Sequence, residues 1–542
     1  MSIPPVELGA RVFFDACIAA AEPISEPGRD HARGMRAFLP GDEEALGRLW
    51  DRTAAFLSLL QTRQLPLLDS HLRICNGLWF LREDPLSWGA VELARLDEIA
   101  LSVRWLRDEV AAHLTGQAQG SHEAQDRILG LLAPHCTAGG FALSPAPDSG
   151  LARERGVLDA ATARFLELER AQREAVAGRL GLSPGRLRSD LTVPLADVPR
   201  LEALRGIPEL DEIALTGHQA QFRFTPSGPV KDARAVMDLA RQRCHALEAA
   251  ATAELCGQLA PWIPALLKDL EAIGELDVLY GRARWALGLG AVRPALSTDG
   301  TFQAEDAVHP VIRDQVEGLG RQYQALSFNL RTPVVHLTGA NMGGKTAFLR
   351  TVGLLQALFQ RGYFIPARSF SAPLVRAMAW VGAVPDAPTL GLSSFGRECR
   401  DLVEALALPS PLLLLVDEFA RSTDVEEGQA LTEALTEHLG RHRQGLFLFA
   451  GHQKRLGDGP GTNDVQYLHT GGLDFEAYSR NLGRMEAVEA LAASMNYCVL
   501  DGPTTSSDAL EIALALGLPE SLVRSARETW SRRTILGLRE NP

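Results

Sequence analysis

Lysine is nearly missing from this chain of 542 residues: four positions (Lys231, Lys268, Lys345 and Lys454) stand against fifty arginines. Paired cysteines are missing as well. The seven cysteines (Cys17, Cys75, Cys136, Cys244, Cys256, Cys399 and Cys498) form no C-x-x-C pair and have no histidine at ligand spacing. That argues against a zinc ribbon or a dithiol redox site and reads as reduced thiols. No apolar run approaches the roughly 18 residues that a membrane span needs. The start, Met1-Ser-Ile-Pro-Pro-Val-Glu7, lacks a basic segment followed by an apolar one, so no secretory signal is expected and the cytoplasm is the default compartment. Positive charge is not in excess either. A net charge of −13 argues against a strong generic polyanion binder, because such affinity comes from neutralising phosphates, and leaves room only for a local basic lining.

What is present is a globular balance, 46% hydrophobic and 22% charged, over a length that a prior of about 150 residues per domain divides into three or four units. Residues 1–150 read as a helical domain, with runs from Asp42 to Gln61 and from Leu93 to Leu114. The tryptophans there read as core and the isolated histidines as structural. The Gly- and Pro-rich segment 139–150 marks a boundary. Residues 151–305 read as two long helices, 156–182 and 231–273, flanking a small β-containing insertion at about 185–230, in which Gln219–Thr225 alternates like a half-buried strand. This arrangement suggests a lever with a head at its tip. From Val334 short apolar strands alternate with helices, the texture of an α/β domain with a largely parallel sheet. Strands are expected at 334–337, 377–384, 412–416 and 446–449, and a closing helical stretch at 507–533 with a break at Gly517-Leu-Pro519.

Three motifs in that region carry chemistry. Gly339, Gly344, Lys345 and Thr346 fit G-x-x-x-x-G-K-[ST] between a strand and a helix. In such a loop backbone N–H groups cradle phosphates, the lysine reaches the β/γ oxygens and the hydroxyl meets Mg²⁺. Lys345 stands where a compact ammonium is required, in a chain that otherwise uses arginine. The run Pro411-Leu-Leu-Leu-Leu-Val-Asp-Glu418 delivers two carboxylates to the C-terminal end of a buried strand. Asp417 suits Mg²⁺, and Glu418 suits orienting or deprotonating a water. Leu446-Phe-Leu-Phe-Ala-Gly-His452 brings a histidine to the same edge. Together these predict an ATP hydrolase.

The segment Thr338-Gly-Ala-Asn-Met-Gly-Gly-Lys-Thr-Ala-Phe-Leu-Arg350, continued to Tyr363-Phe-Ile-Pro-Ala367, resembles the ATPase domain of the MutS family of DNA mismatch-repair and recombination proteins, within the ABC-type ATPases. Ser393-Ser-Phe-Gly-Arg-Glu398 resembles the family's serine loop, Asp417-Glu-Phe-Ala-Arg-Ser-Thr423 its Walker B segment, His452 its strand-end histidine, and Ser507 to Ala526 its closing helices. The resemblance is strong from about 309 to 526. It implies a multidomain fold: a mainly α N-terminal core and lever region, an α/β P-loop domain at 306–505, and a C-terminal helical dimerisation segment at 506–542. It also implies ATP and Mg²⁺ as cofactors. Ala340, Asn341, Met342 and Gly343 join Gly339, Gly344, Lys345 and Thr346 in the phosphate cradle. Thr346 and Asp417 hold the metal, Glu418 and His452 act in hydrolysis, and Ser393 and Ser394 approach the nucleotide held by a second copy. The implied assembly is a homodimer through the ATPase domains, acting on duplex or branched DNA and not on membranes.

The chain departs from the family at Ala340, where proline is usual, at Ala420 and Ser422, where glycines are usual, and at Asp424. None of these removes a phosphate, metal or water ligand. The family's mismatch reader uses an N-terminal Phe-x-Glu, and here only Phe165-Leu-Glu167 matches, in mid-helix. A short form without the mismatch-recognition domain is therefore expected. A protein client is the alternative to DNA, since some short MutS-like proteins resemble reactivating ATPases for cobalamin-dependent aminomutases.

Overall fold

The computed structural model describes residues 5–115, 122–137, 140–182, 190–339, 344–382, 394–452, 465–482, 486–502 and 509–540. Two units are distinguished: Met1–Asn76, Leu106–Gln119 and Glu271–Pro542 form one, and Gly77–Trp105 and Gly120–Leu270 form the other.

The first unit is built on a six-stranded sheet. Its strands are β1 (Val334–Thr338), β2 (Ala377–Gly382), β3 (Leu412–Asp417), β4 (Gly445–Ala450), β5 (Val465–Leu473) and β6 (Met495–Asp501), in the spatial order β2-β3-β4-β1-β5-β6. All neighbours are parallel except β5 and β6. Every position of β3 from Leu412 to Val416 is apolar and buried. A parallel strand covered on both faces requires this, because alternate side chains enter different cores. Leu413 and Leu415 join Phe348, Leu349 and Val352 on one face, while Leu412, Leu414 and Val416 join Leu435 and Leu439 on the other.

The helix α1 (Lys345–Gln360) follows β1 and is buried around nearly its whole circumference, so its even scatter of Leu, Val and Phe is what its position demands. A second, four-stranded sheet (Ala295–Leu296, Ser369–Ala372, Phe302–Ala307 and Leu326–Leu330) packs beside it. Phe302 meets Phe370 edge-on at 5.2 Å between centroids, and Phe328 meets Phe348 of α1 at 5.0 Å. Further helices α2 (Ser394–Leu406) and α3 (Val425–His442) follow β2 and β3, and the closing stretch forms Ala509–Ala515 and Glu520–Glu540. Of the early tryptophans, Trp50 and Trp88 are buried, whereas Trp79 is exposed.

The second unit contains the paired helices Gly150–Arg179 and Gly228–Leu259. They run antiparallel, since Arg155 near the start of one bridges Glu248 near the end of the other at 2.8 Å, and Gln172 near the end of the first caps Ser227 and Thr225 at the start of the second. Between them lies a three-stranded antiparallel sheet, Asp190–Pro194, Gln219–Phe224 and Leu210–Thr216 in that spatial order, with the helix Val198–Arg205. Val193, Leu201, Leu204, Ala220 and Phe222 form its own small core.

Two helix boundaries differ from the sequence reading. The first long helix starts at Gly150, because the Ser149 hydroxyl accepts the Ala152 N–H and caps it. The second does not run unbroken to Ile273. A short turn at Ala260–Trp262 separates it from Ile263–Leu289, where Pro261 and Pro264 withdraw two backbone donors and crowd the preceding turn. Among the described residues no helix is long and apolar enough to cross a membrane, and no three His, Cys, Asp or Glu side chains cluster to hold a metal.

Candidate functional site

The site is assembled at the C-terminal ends of β1, β3 and β4, the edge at which open parallel sheets place their ligands. Register sets this up, because Asp417 lies level with Gly382 on one side and Ala450 on the other, so the residues just beyond β3 and β4 emerge side by side. Gly344 caps α1 with φ of +86°, a left-handed turn that glycine adopts without strain. At Gly339, with φ of +148°, an added Cβ would lie 2.0 Å from the Thr470 hydroxyl, so the chain leaves β1 through a gap that only a missing side chain opens.

Lys345 is 5% exposed, and its ammonium donates to the Gly339 carbonyl at 2.9 Å. Burial lowers its pKa, against the opposing pull of Glu418 and Asp417. The Thr346 hydroxyl donates to Asp417, 2.9 Å from Oδ2 and 3.2 Å from Oδ1. Burial pushes the Asp417 carboxyl above its ordinary range, and the bond from Thr346 offsets part of that. Beyond Asp417 the chain turns through two left-handed residues, Glu418 (φ 53°) and Ala420 (φ 61°). The turn places the Glu418 carboxylate between the His452 Nε2 at 3.0 Å and the Arg421 guanidinium at 2.6 Å. Burial alone would raise the Glu418 pKa, but Arg421 and then His452 outweigh it and the net shift is downward. A cavity of about 210 Å³ adjoins this group and is lined by Glu418, Arg421, His452 and His336 among others.

Thus Lys345, Thr346 and Asp417 meet in one cluster, and Glu418 and His452 meet in the next. Ser394 opens α2 and is exposed, with no described contact to either cluster. Ala340, Asn341, Met342, Gly343 and Ser393 lie outside the described residues. Two partners carry no role in the sequence reading. One is Arg421, three residues from the carboxylate it holds. The other is Glu398 of α2, a buried side chain whose Oε2 accepts the Ala420 N–H at 2.8 Å and so ties the helix that begins at Ser394 to the turn that carries Glu418. Arg421 was visible as a cation next to two acids, whereas Glu398 gave no signal without the fold.

Residues 335–533 match the family model for MutS domain V. This segment belongs to the MutS family. The chain is 30% identical over 322 residues to a DNA mismatch repair protein MutS of Caulobacter sp. (strain K31), covering 58% of this chain and 34% of that protein. It is 31% identical over 322 residues to the protein of the same name from Caulobacter vibrioides (strain ATCC 19089 / CIP 103742 / CB 15), with the same coverage. The chain therefore spans about a third of the length of these relatives.

Ala420 takes a left-handed backbone conformation (φ 61°) that glycine adopts without strain. A non-glycine residue in that region costs about 1–2 kcal/mol, of which glycine's greater unfolded freedom takes back about 0.5–1. Ala420→Gly is accordingly expected to leave thermal stability unchanged or raise it by up to about 1 kcal/mol. A loss beyond about 1 kcal/mol in denaturant unfolding would mean that the buried methyl outweighs the strain.

Proposed function

We propose that this chain binds and hydrolyses ATP with Mg²⁺ as a MutS-type ATPase, and that the nucleotide cycle drives a conformational switch on DNA in a process related to mismatch repair. The observation that carries the reading is the pair of adjoining clusters, Lys345 with Thr346 and Asp417, and Glu418 with His452 and Arg421. The donor set fits the implied cofactors. A hydroxyl and a carboxylate are hard oxygen ligands suited to Mg²⁺, and the N-terminus of the 16-residue α1 behind a left-handed glycine offers N–H groups and a favourable dipole to phosphate. Thr346 and Asp417 would hold Mg²⁺, which when bound would supply charge neutralisation to the phosphates.

The protein's own part is positioning. Lys345 would supply a charge-assisted donor to the β/γ oxygens, and Thr346 and Asp417 would hold the metal. Glu418, kept ionised by Arg421 and His452, would accept from the attacking water and fix its direction. Ser394, which opens α2, and Ser393 before it in sequence would complete the site of a second copy, so that ATP closes a homodimer through residues 306–505 while 506–542 add a dimerisation surface.

The antiparallel helices of 151–305 would act as levers and the small sheet at about 185–230 as a clamp-like head, with 1–150 as the helical domain ahead of them. DNA enters the reading through the relatives, whose names state mismatch repair. No described feature favours a protein client.

Lys345→Ala tests the core of this reading. Loss of a charge-assisted hydrogen bond is worth about 1.5–3 kcal/mol, so ATP affinity is expected to fall roughly ten- to a hundredfold. Equilibrium titration with a fluorescent ATP analogue measures it, and unchanged affinity would remove the phosphate-loop assignment.

A further inference from the structure

The helix Ile263–Leu289 carries Arg282, which is 5% exposed, yet its Nε and Nη1 have no hydrogen-bond partner. Its Nη2 reaches only the Met35 sulfur, at 3.6 Å. The guanidinium stacks over the Tyr363 ring with its central carbon 4.4 Å from the centroid, a contact that steadies a cation without neutralising it. Arg361, just past the end of α1, donates to the Met35 carbonyl at 3.2 Å and lines the same space.

That space is a cavity of about 140 Å³, walled by Phe14, Ile18, Met35 and Tyr363 and furnished with the two guanidinium groups. Glu22 stands at its margin but is exposed, and no ion pair joins it to Arg282 among the described residues. Burial disfavours the charged form of Arg282, and the neighbouring Arg361 cation acts in the same direction. Arginine nonetheless stays protonated in proteins. A buried charge with open donors calls for a counter-charge, and the cavity is large enough for more than water alone.

We propose that this cavity is a binding site for a small oxyanion, a phosphate or a carboxylate, held by the unpartnered donors of Arg282 with Arg361 as the second cation. Nε–H and Nη1–H point to different sides of the guanidinium, so a two-oxygen grip pairs one of them with the second hydrogen of Nη2, whose first faces the Met35 sulfur. The site sits at the opposite end of α1 from the phosphate loop. An anion there would join the end of α1 to the Arg282 helix and to the segment of Phe14, Ile18 and Met35, stiffening the first unit independently of nucleotide.

The test is thermal unfolding of the full chain at constant ionic strength, with sodium chloride replaced stepwise by inorganic phosphate or by acetate. The expected result is a rise in the unfolding temperature of the unmutated protein, produced by phosphate, acetate or both, and lost in Arg282→Met. Phosphate alone would identify the phosphate form of the ligand, and acetate alone the carboxylate form. Because inorganic phosphate can also enter the phosphate loop, the comparison is repeated in Lys345→Ala, where the Arg282-dependent part must persist. Should Arg282→Met fail to fold, Ala32→Leu, which fills the cavity from its lining, must abolish the shift while leaving ATP affinity unchanged. An equal response in the unmutated protein and Arg282→Met, or in Ala32→Leu, overturns the proposal, as does no response to either anion. Neither result bears on the ATPase reading, which rests on the other end of α1.

Discussion

Glu418→Gln is expected to lower ATP turnover by roughly 10²–10⁴-fold while leaving nucleotide affinity close to that of the unmutated protein. The amide keeps the size of the side chain and can still accept one hydrogen bond, so the cradle formed by Lys345, Thr346 and Asp417 is untouched. What disappears is the negative charge that Arg421 and His452 hold in place. Arg421 and His452 shift that carboxylate downward against its burial, and its expected contribution is to accept from the attacking water and direct it. The proposed dimer supplies a second readout, since bound ATP that is not consumed should accumulate the closed pair in sedimentation experiments. Steady-state phosphate release decides the matter: a rate equal to that of the unmutated protein would withdraw Glu418 from the reaction.

The second large effect is on stability in mild acid. His309 and His336 are 0% and 1% exposed, and burial is the first cause that pushes each down to about 4. The unfolded chain binds these protons near pH 6.5, whereas the folded chain resists them until about pH 4. The neutral forms therefore stabilise the fold fully above the unfolded value, and that stability drains away as pH falls between the two. Linkage puts the loss from pH 7 to pH 5 at about 2 kcal/mol for each histidine, together a sizeable part of a domain's usual 5–15 kcal/mol. Burial raises the carboxyls of Asp277, Asp417 and Glu398, which acts in the opposite sense, because a raised acid favours the fold as pH falls. Urea unfolding at pH 7 and pH 5 measures the balance. His336→Asn should lose about 2 kcal/mol less than the unmutated protein over that interval; an identical loss would show that His336 is not held neutral.

The runs that alternate with helices were legible because strands buried on both faces must be apolar at every position, as Leu412–Val416 and Leu446–Phe449 are. β5 and β6 carried no such signal. β5 passes through His469-Thr-Gly-Gly472 with half-buried positions between buried ones, and β6 lies at the sheet edge with much of its length only partly covered. The second sheet was also missed, since two of its strands have two and four residues, too few for a period to show. In the site, the grouping of Lys345 with Thr346 and Asp417, and of Glu418 with His452, follows from strand-end placement that spacing alone suggests. Arg421 meets Glu418, and the Ala420 N–H meets Glu398 of α2, only through the left-handed turn at Glu418 and Ala420, which depends on how the loop packs rather than on any local preference of alanine or glutamate. Helical periodicity in 1–150 is real, but it does not say which core each helix joins, and Met1–Asn76 falls in the same unit as the six-stranded sheet.

One feature of β3 has a bearing on insertions and deletions. With five apolar residues in succession, sliding the strand by one position would exchange its two faces and still bury hydrocarbon on both, so the core discriminates poorly between the two alignments. Discrimination falls to the strand's ends. Pro411 cannot donate a ladder hydrogen bond, and Asp417 finds the Thr346 hydroxyl only in the native alignment. The carboxylate proposed to hold a metal is thus also a peg that sets the strand's position during folding. A chain that gained or lost one residue between Pro411 and Asp417 would forfeit its chemistry and its alignment in the same stroke.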